Sequence, residues 1–156
     1  MKNAIQLSMF GVAEVELRYK SKVPASQRRK ISCSRDVFTL LKENWNSDTV
    51  EYVEEFKVLL MNRANAVLGI LPVSKGGISG TVTDVRIILQ AALKSNASGL
   101  IIAHNHPSGN LNPSESDIKI TQKIKDAGNI MDIKLLDHLI ITAEDDFYSF
   151  VDNGLL

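Results

Sequence analysis

Two histidines at the end of a strand constrain the fold of this chain more than any other feature of its sequence. Residues 99–103 form a short apolar run that predicts a buried strand, and His104, Asn105, His106 and Pro107 follow at once. Side chains two positions apart in extended backbone point the same way, so both imidazoles are expected to face one spot. Because Pro107 ends the strand, that spot lies at the strand's end.

A helix start follows the histidines. Asn112 suits the N-cap position, Pro113 the first helical position and Glu115 the third. Ser114 and Asp117 are three positions apart, so they share one face of the predicted helix. The carboxylate of Asp117 therefore lies near the first turn, from which it can swing back toward the end of the preceding strand.

These residue types predict a metal site. Two imidazoles and one carboxylate, with a fourth position left to water, are the arrangement of a catalytic zinc ion. The candidate ligands are His104, His106 and Asp117, and Ser114 lies close enough to donate a hydrogen bond to an oxyanion.

A water activated by such a metal needs a base to take its proton. The candidates are Glu54 and Glu55, which open a predicted strand over residues 54–61. Strand alternation places Glu54 on one face with Phe56, and Glu55 on the other face with Lys57. Alternation leaves both glutamates open as the base, because either face can be the one that carries the histidines.

The third histidine has a structural interpretation. His138 lies within a predicted strand, directly after Asp137. We expect a buried histidine whose ring is satisfied inside the protein, or one that is paired with Asp137, rather than a metal ligand.

Helices and strands are mixed along the chain. Periodic and apolar patterns predict helices over 35–46, 84–94 and 113–128, and strands over 54–61, 66–73, 99–103, 133–142 and 147–151. One hairpin lies next to a strand–helix alternation. This order predicts an α/β fold with a mixed or largely antiparallel sheet flanked by helices.

Length and composition exclude several classes of protein. A chain of 156 residues suggests one domain. No apolar run approaches the roughly 18 residues of a membrane helix, and no secretory signal pattern is seen, so we expect a cytoplasmic protein with no membrane contact. The single cysteine, Cys33, excludes an intramolecular disulfide and a multi-cysteine zinc site.

The formal net charge of zero conceals a split. Residues 1–50 contain nine basic and five acidic residues, a net charge of +4, and the other 106 residues carry −4. The neutral total argues against a protein that coats nucleic acid. The basic run Arg28, Arg29 and Lys30 is either a solvated loop or an arm for a polyanion or an acidic partner.

The spacing His104-x-His106-Pro107, followed by Ser114-x-x-Asp117, resembles the metal-binding signature of the JAB/MPN (JAMM) metalloprotease family. The longer sequence around this motif, residues 103–109 and 113–117, is similar to the RadC branch of that family. Further segments are also similar to this branch: 136–138, 148–150 and 154–156. The resemblance covers residues 35–156 as one RadC-like domain, and it leaves residues 1–34 as a basic N-terminal arm.

The resemblance implies a curved, β-barrel-like mixed sheet with flanking helices, in the cytidine-deaminase-like style. It also implies Zn²⁺ held by His104, His106 and Asp117. Glu54, two residues before an aromatic, corresponds to the family's base, and Ser114 to the residue that stabilises the oxyanion. In such enzymes zinc polarises the scissile carbonyl and binds water, and the base carries the water's proton to the leaving amine.

Two functions follow from the resemblance. The first is a zinc-dependent metallopeptidase or isopeptidase with a peptide or protein substrate. The alternative is a RadC-like protein associated with DNA repair, which binds nucleic acid or a partner without peptidase turnover. Full-length RadC proteins usually carry a helix–hairpin–helix region that residues 1–34 do not resemble. Together with the neutral total charge, this argues against strong DNA binding.

Overall fold

The computed structural model describes residues 11, 13, 15–16, 18–76 and 82–156. Within the predicted basic arm, residues 1–34, the positions 1–10, 12, 14 and 17 lie outside the described residues. The helices and strands come in this order: α1 (Ser34–Asn44), β1 (Glu55–Met61), β2 (Val67–Lys75), α2 (Val85–Lys94), β3 (Gly99–Asn105), α3 (Glu115–Ile130), β4 (Lys134–Ile141) and β5 (Phe147–Ser149).

The strands form one mixed sheet in the order β2-β1-β3-β4-β5. Only β3 and β4 pair in parallel among these strands, and the connection between them is α3. The predicted α/β fold with a mixed sheet flanked by helices is therefore confirmed. Within the described part of the chain the sheet is open, with β2 and β5 at its edges, and does not close into a barrel. All seven residues of the central strand β3 are buried.

Each face of the sheet packs against its own helices. The α2/α3 face is covered by helices α2 and α3, and its core includes Phe56, Val58, Leu60, Ile88, Leu100, Ile102 and Ile124. The α1 face is covered by helix α1, and its core includes Val37, Phe38, Leu41, Leu59, Met61, Ile101 and Leu139. A strand with two apolar faces is a continuous apolar run, which is why residues 58–61 and 100–103 do not alternate in polarity.

A bulge in β4 determines which face each of its side chains reaches. Leu100 pairs with Leu135, but Ile101 pairs with Asp137, so Leu136 is an extra residue on β4. An extra residue reverses the alternation beyond it. Asp137 therefore joins Ile101 on the α1 face, and His138 lies on the α2/α3 face.

The ends of α3 differ from the predicted ones for two physical reasons. The helix begins at Glu115 with Ser114 as its N-cap, because Ser114 and Asp117 form a reciprocal capping box that Asn112 does not provide. Gly128 does not end the helix, which continues to Ile130. A Cβ at Gly128 would lie 2.4 Å from the carbonyl oxygen of Ile133, so glycine is required there by close packing.

Each helix in the described part of the chain is too short or too polar to cross a bilayer.

Candidate metal centre

The end of β3 brings the two predicted histidines together. His104 is the next-to-last residue of β3, and the backbone N–H of His106 donates to the carbonyl of Ile141 at 3.0 Å, which continues the extended path. The Nε2 atoms of the two rings are 2.9 Å apart. His104 is buried and His106 is partly exposed, so the pair opens to solvent on the His106 side.

Asp117 approaches the same point from the first turn of α3. Its Oδ1 lies 3.2 Å from Nε2 of His104, and its Oδ2 lies 3.6 Å from Nε2 of His106. One donor atom from each of the three residues can be chosen so that all lie within 4.8 Å of one another. Burial alone would raise the pKa of Asp117, but hydrogen bonds from the rings of His104 and His106 in their protonated form hold that pKa well below its ordinary value.

Ser114 holds the carboxylate of Asp117 in place. Both the backbone N–H and the hydroxyl of Ser114 donate to Oδ2 of Asp117, each at 2.7 Å. The backbone N–H of Asp117 in turn donates to the Ser114 hydroxyl at 3.2 Å. The capping box therefore orients a candidate ligand, and it leaves Oδ1 as the oxygen that faces His104.

The proton positions make this cluster a candidate for binding a cation. Nδ1 of His106 lies 2.5 Å from the carbonyl oxygen of Asn110, which can only accept, so the ring's proton is on Nδ1 and Nε2 is a lone pair. Nδ1 of His104 is also occupied, by Nε2 of His138 at 2.9 Å. Two ring nitrogens and a carboxylate oxygen thus converge, and one positive ion can satisfy all three.

The pKa of His106 also indicates that the site favours positive charge. It is raised above its ordinary value, chiefly because Asp117 accepts a hydrogen bond from Nε2 when the ring is protonated, and in spite of partial burial. The carbonyl of Asn110 and the charge of Glu54 raise it further. The donor set fits a divalent metal that accepts nitrogen and oxygen ligands, and zinc is the usual choice for two histidines and a carboxylate.

Glu54 and Glu55 have different surroundings. Phe56 pairs with His104 across β1 and β3, and the two rings stack with centroids 6.0 Å apart. Alternation from Phe56 puts Glu54 on the histidine side of the chain. Glu55, by contrast, accepts from the Thr49 hydroxyl at 2.9 Å on the other side.

Glu55 is held by charge as well as by this hydrogen bond. Its carboxylate lies 3.4 Å from Nζ of both Lys57 and Lys75. Burial would raise the pKa of Glu55, but the Thr49 hydroxyl and the two lysines lower it below its ordinary value. The contacts of Glu55 account for it as a structural ion pair.

Asn105, between the two histidines, points to the opposite face and was missed by the sequence analysis. Its side-chain amide donates to the carbonyls of Val50 and Val53, at 2.6 and 2.8 Å. Its Oδ1 accepts from the backbone N–H of Glu55 at 2.7 Å. The two peptide groups that flank Glu54 are therefore both hydrogen-bonded to Asn105, which fixes the backbone on either side of the candidate base.

The prediction for His138 is confirmed in one of its two forms. The ring is fully buried, and its nitrogens contact His104 and the hydroxyl of Thr121. Asp137 does not pair with the ring, because the bulge sends it to the α1 face, where its Oδ1 accepts the backbone N–H of His138 at 2.7 Å. Burial lowers the pKa of His138 well below its ordinary value.

Part of the basic run is anchored to the body of the protein. Arg29 forms an ion pair with Glu43 of α1, and its carbonyl accepts the N–H of Val67 at 2.8 Å. Lys30 forms an isolated antiparallel bridge with Ala66. Arg29 is thus compensated by a neighbouring acid, and a role for this run in binding a polyanion stays a prediction.

Comparison with known proteins gives one family. The family model described as RadC-like JAB domain matches residues 31–155, a range that includes all the candidate ligands as well as Glu54 and Ser114.

Relatives from several bacteria carry the name UPF0758 protein. The one from Flavobacterium johnsoniae is 50% identical over 127 residues, which are 81% of this chain and 54% of that protein. The one from Porphyromonas gingivalis is 45% identical over 103 residues, 66% of this chain and 45% of that protein. The one from Clostridium beijerinckii is 37% identical over 148 residues, 95% of this chain and 63% of that protein. The chain therefore spans about half to two thirds of the length of these relatives.

Proposed function

The chain belongs to the RadC-like JAB domain family, and from this premise we propose that it is a zinc-dependent metallopeptidase or isopeptidase that cleaves an amide bond. The JAB domain family is related to metallohydrolases. The observation that carries the proposal is the convergence of one donor atom each from His104, His106 and Asp117. The charge of Glu54, which helps to raise the pKa of His106, supports it further.

Three side chains of this protein hold the metal in the proposal. His104 and His106 offer Nε2, and Asp117 offers Oδ1, the oxygen that the capping box leaves toward the histidines. When bound, zinc supplies Lewis acidity toward a carbonyl oxygen and lowers the pKa of water at the site. The protein keeps the donor atoms in place through the Asn110 carbonyl and the N-cap of α3.

Glu54 is the general base of the proposed reaction. It takes a proton from the attacking water and later gives that proton to the leaving amine. Two features support Glu54 over Glu55: its side of the chain, set by alternation from Phe56, and the charge that it contributes at His106. Glu55 is occupied by a hydroxyl and two lysines.

Ser114 has two roles in the proposal, and the structure describes the first. Its hydroxyl holds Oδ2 of Asp117 in the free protein. Because the Ser114 backbone N–H donates to the same oxygen, the hydroxyl can turn to an oxyanion without leaving Oδ2 bare. Oxyanion stabilisation by Ser114 therefore rests on a donor that is already present beside the metal ligands.

Paired glutamine variants test the proposal. Zinc-loaded wild type, Glu54→Gln and Glu55→Gln are incubated with a mixed library of peptides and lysine-linked isopeptides, and new amino termini are measured by mass spectrometry. We expect Glu54→Gln to bind zinc normally and to lose turnover by about 10²- to 10⁴-fold, the usual contribution of a general base. Glu55→Gln should still turn over, since Glu55 lies on the other side of the chain.

Two results would contradict the proposal. One is a zinc-loaded wild-type protein that cleaves nothing in the library, which would favour a domain that binds a chain without cleaving it. The other is a Glu54→Gln variant as active as the wild type, which would remove Glu54 as the base.

A further inference from the structure

A chain of hydrogen bonds runs behind the candidate metal centre, through residues that the proposed reaction does not use. Nδ1 of His104 lies 2.9 Å from Nε2 of His138. Nδ1 of His138 lies 2.6 Å from the hydroxyl oxygen of Thr121, and that oxygen lies 2.5 Å from the backbone carbonyl oxygen of Asp117. The chain starts at one candidate ligand and ends at the backbone of another.

The backbone carbonyl of Asp117, at the end of this chain of hydrogen bonds, determines which atom donates at each step. A carbonyl oxygen has no proton, so the Thr121 hydroxyl must donate to Asp117. The hydroxyl oxygen then accepts from His138, which puts the His138 proton on Nδ1. A neutral His138 therefore presents a lone pair at Nε2, and Nδ1 of His104 must donate to it. By this sequence of steps, Nε2 of His104 is left as a lone pair that faces the candidate metal position.

We propose that His138 and Thr121 are positioning residues that hold His104 in its metal-binding tautomer and lock its strand to the first turns of α3. This inference rests on the metal site of the proposed function, but not on peptidase activity. The opposite tautomer of His104 would carry a proton at the place where the metal binds. Behind a metal-binding histidine, the usual partner is a carboxylate or a carbonyl. In this protein the neutral imidazole of His138 takes that place. It is in turn hydrogen-bonded to Thr121 of helix α3.

The packing around His138 supports a fixed ring. His138 is fully buried, and the ring of Phe150 stacks on it at 4.5 Å with an angle of 18° between planes. Thr121 is buried as well. The helix that carries Thr121 also carries Asp117, one turn earlier, so any rotation of α3 that displaces the carboxylate also disturbs the contact with His138. The positions of the candidate ligands His104 on β3 and Asp117 on α3 are therefore coupled through His138 on β4.

Matched variants at both positions test the proposal through zinc affinity, measured by competition with a chelator. Gln at 138 keeps an acceptor near the place of Nε2, whereas Leu removes it. Ser at 121 keeps the hydroxyl, whereas Val has nearly the same shape without it. We expect His138→Leu and Thr121→Val to bind zinc about 10- to 100-fold more weakly than the wild type, the usual effect of losing such a partner. His138→Gln and Thr121→Ser should retain most of the affinity.

A second measurement reads the tautomer of His138 directly. Long-range ¹H–¹⁵N correlation spectra of the imidazoles should place the His138 proton on Nδ1, with and without zinc. A proton on Nε2 would overturn the proposal, because the chain would then run in the opposite direction. A folded Thr121→Val or His138→Leu variant with wild-type zinc affinity would overturn it too. If His138→Leu does not fold, the comparison of Thr121→Val with Thr121→Ser and the imidazole spectra still test the proposal.

These outcomes are separate from those of the proposed function. Weaker zinc binding in the Leu and Val variants of a protein that cleaves nothing would support the positioning role and contradict the peptidase. Unchanged zinc affinity in a protein that cleaves peptides would do the reverse.

Discussion

The two faces of the sheet receive polar side chains from neighbouring positions in the sequence and use them differently. His104 and His138 lie on the α2/α3 face, while Asn105 and Asp137 lie on the α1 face. All four are buried, with at most 6% of any of them exposed. Burial therefore does not distinguish the candidate metal centre from its structural counterpart.

On the α1 face, donors and acceptors are matched within the protein. Asp137 accepts from the Ser149 hydroxyl at 2.7 Å and from the backbone N–H groups of His138 and Val151 at 2.7 and 3.1 Å. Asn105 likewise uses both ends of its amide. Groups matched in this way stabilise a backbone arrangement and need nothing from outside.

On the α2/α3 face, the acceptors outnumber the donors. His104, His106 and Asp117 direct two ring nitrogens and a carboxylate oxygen at one point, and the ring protons are used elsewhere. This imbalance is costly unless a cation is present. The comparison teaches that an unmatched excess of acceptors, rather than burial or charge alone, distinguishes the side of the sheet that carries the candidate metal centre.

The strongest test of this difference removes a ligand. His106→Ala should reduce bound zinc from about one ion per chain to nearly none, because only two of the three protein ligands remain. Metal analysis of the freshly purified protein measures this. The unfolding free energy of the metal-free variant should stay within about 1 kcal/mol of the wild type, since His106 is partly exposed and outside both cores. Asp137→Asn, on the other face, is the control and should keep its zinc.

A folded His106→Ala variant that still holds about one zinc ion per chain would contradict this prediction. It would mean that the metal does not depend on the α2/α3 face.

A smaller effect is expected from the polar residue between the ligands. Asn105→Ala should lower the unfolding free energy by about 2–4 kcal/mol, because two carbonyls and one N–H lose their buried partner. It should still bind zinc, since its side chain lies on the α1 face. Urea unfolding of the metal-free protein measures the change.

Asn44 provides the matched control. Its amide also donates to a backbone carbonyl, that of Leu40 at 2.8 Å, but it is exposed at the end of α1. Asn44→Ala should cost less than about 0.5 kcal/mol. Equal stabilities for the two alanine variants would show that the hydrogen bonds of Asn105 are not structural, and loss of zinc from folded Asn105→Ala would break the division between the faces.

The smallest effect concerns pH and Asp137. Burial raises the pKa of its carboxyl above the ordinary value, in opposition to the hydrogen bonds from Ser149, Val151 and His138. A folded-state pKa above the unfolded one means that the folded protein binds the proton more tightly. The contribution of Asp137 to stability is therefore fully present below the unfolded pKa and declines as the pH rises through the folded pKa.

Urea unfolding of wild type and Asp137→Asn across this pH range isolates that contribution. The stability difference between the two proteins should change with pH by no more than about 1.4 kcal/mol per pH unit, the limit for one proton. It should move in favour of the asparagine variant as the pH rises. A difference that is independent of pH would show that Asp137 titrates alike in both states.

Local patterns predicted much of the fold and of the candidate site. The i, i+2 spacing of His104 and His106 predicted that their rings meet, since it depends only on extended backbone. The capping residues predicted a helix that presents Asp117, although the N-cap is Ser114 instead of Asn112. Strand and helix boundaries agree within a few residues, because the apolar runs that define them are also the two cores.

What the patterns did not predict depends on how strands are placed against one another. The choice between Glu54 and Glu55 depends on the pairing of β1 with β3, which residue types do not encode. The contact of His138 with His104 depends on the bulge at Leu136, which reverses the alternation along β4. The family resemblance supplied Glu54 but assigned no role to Asn105 or Thr121.

The spacing of the candidate ligands along the chain has a consequence for how a bound ion would affect folding. They all lie between residues 104 and 117, so a bound metal would close only a short loop. Closing a short loop restricts few alternative conformations of the unfolded chain, and both apolar cores lie outside it. A metal bound at the candidate site would then be a local cross-link, which we expect the protein to acquire, release or exchange while the sheet remains folded.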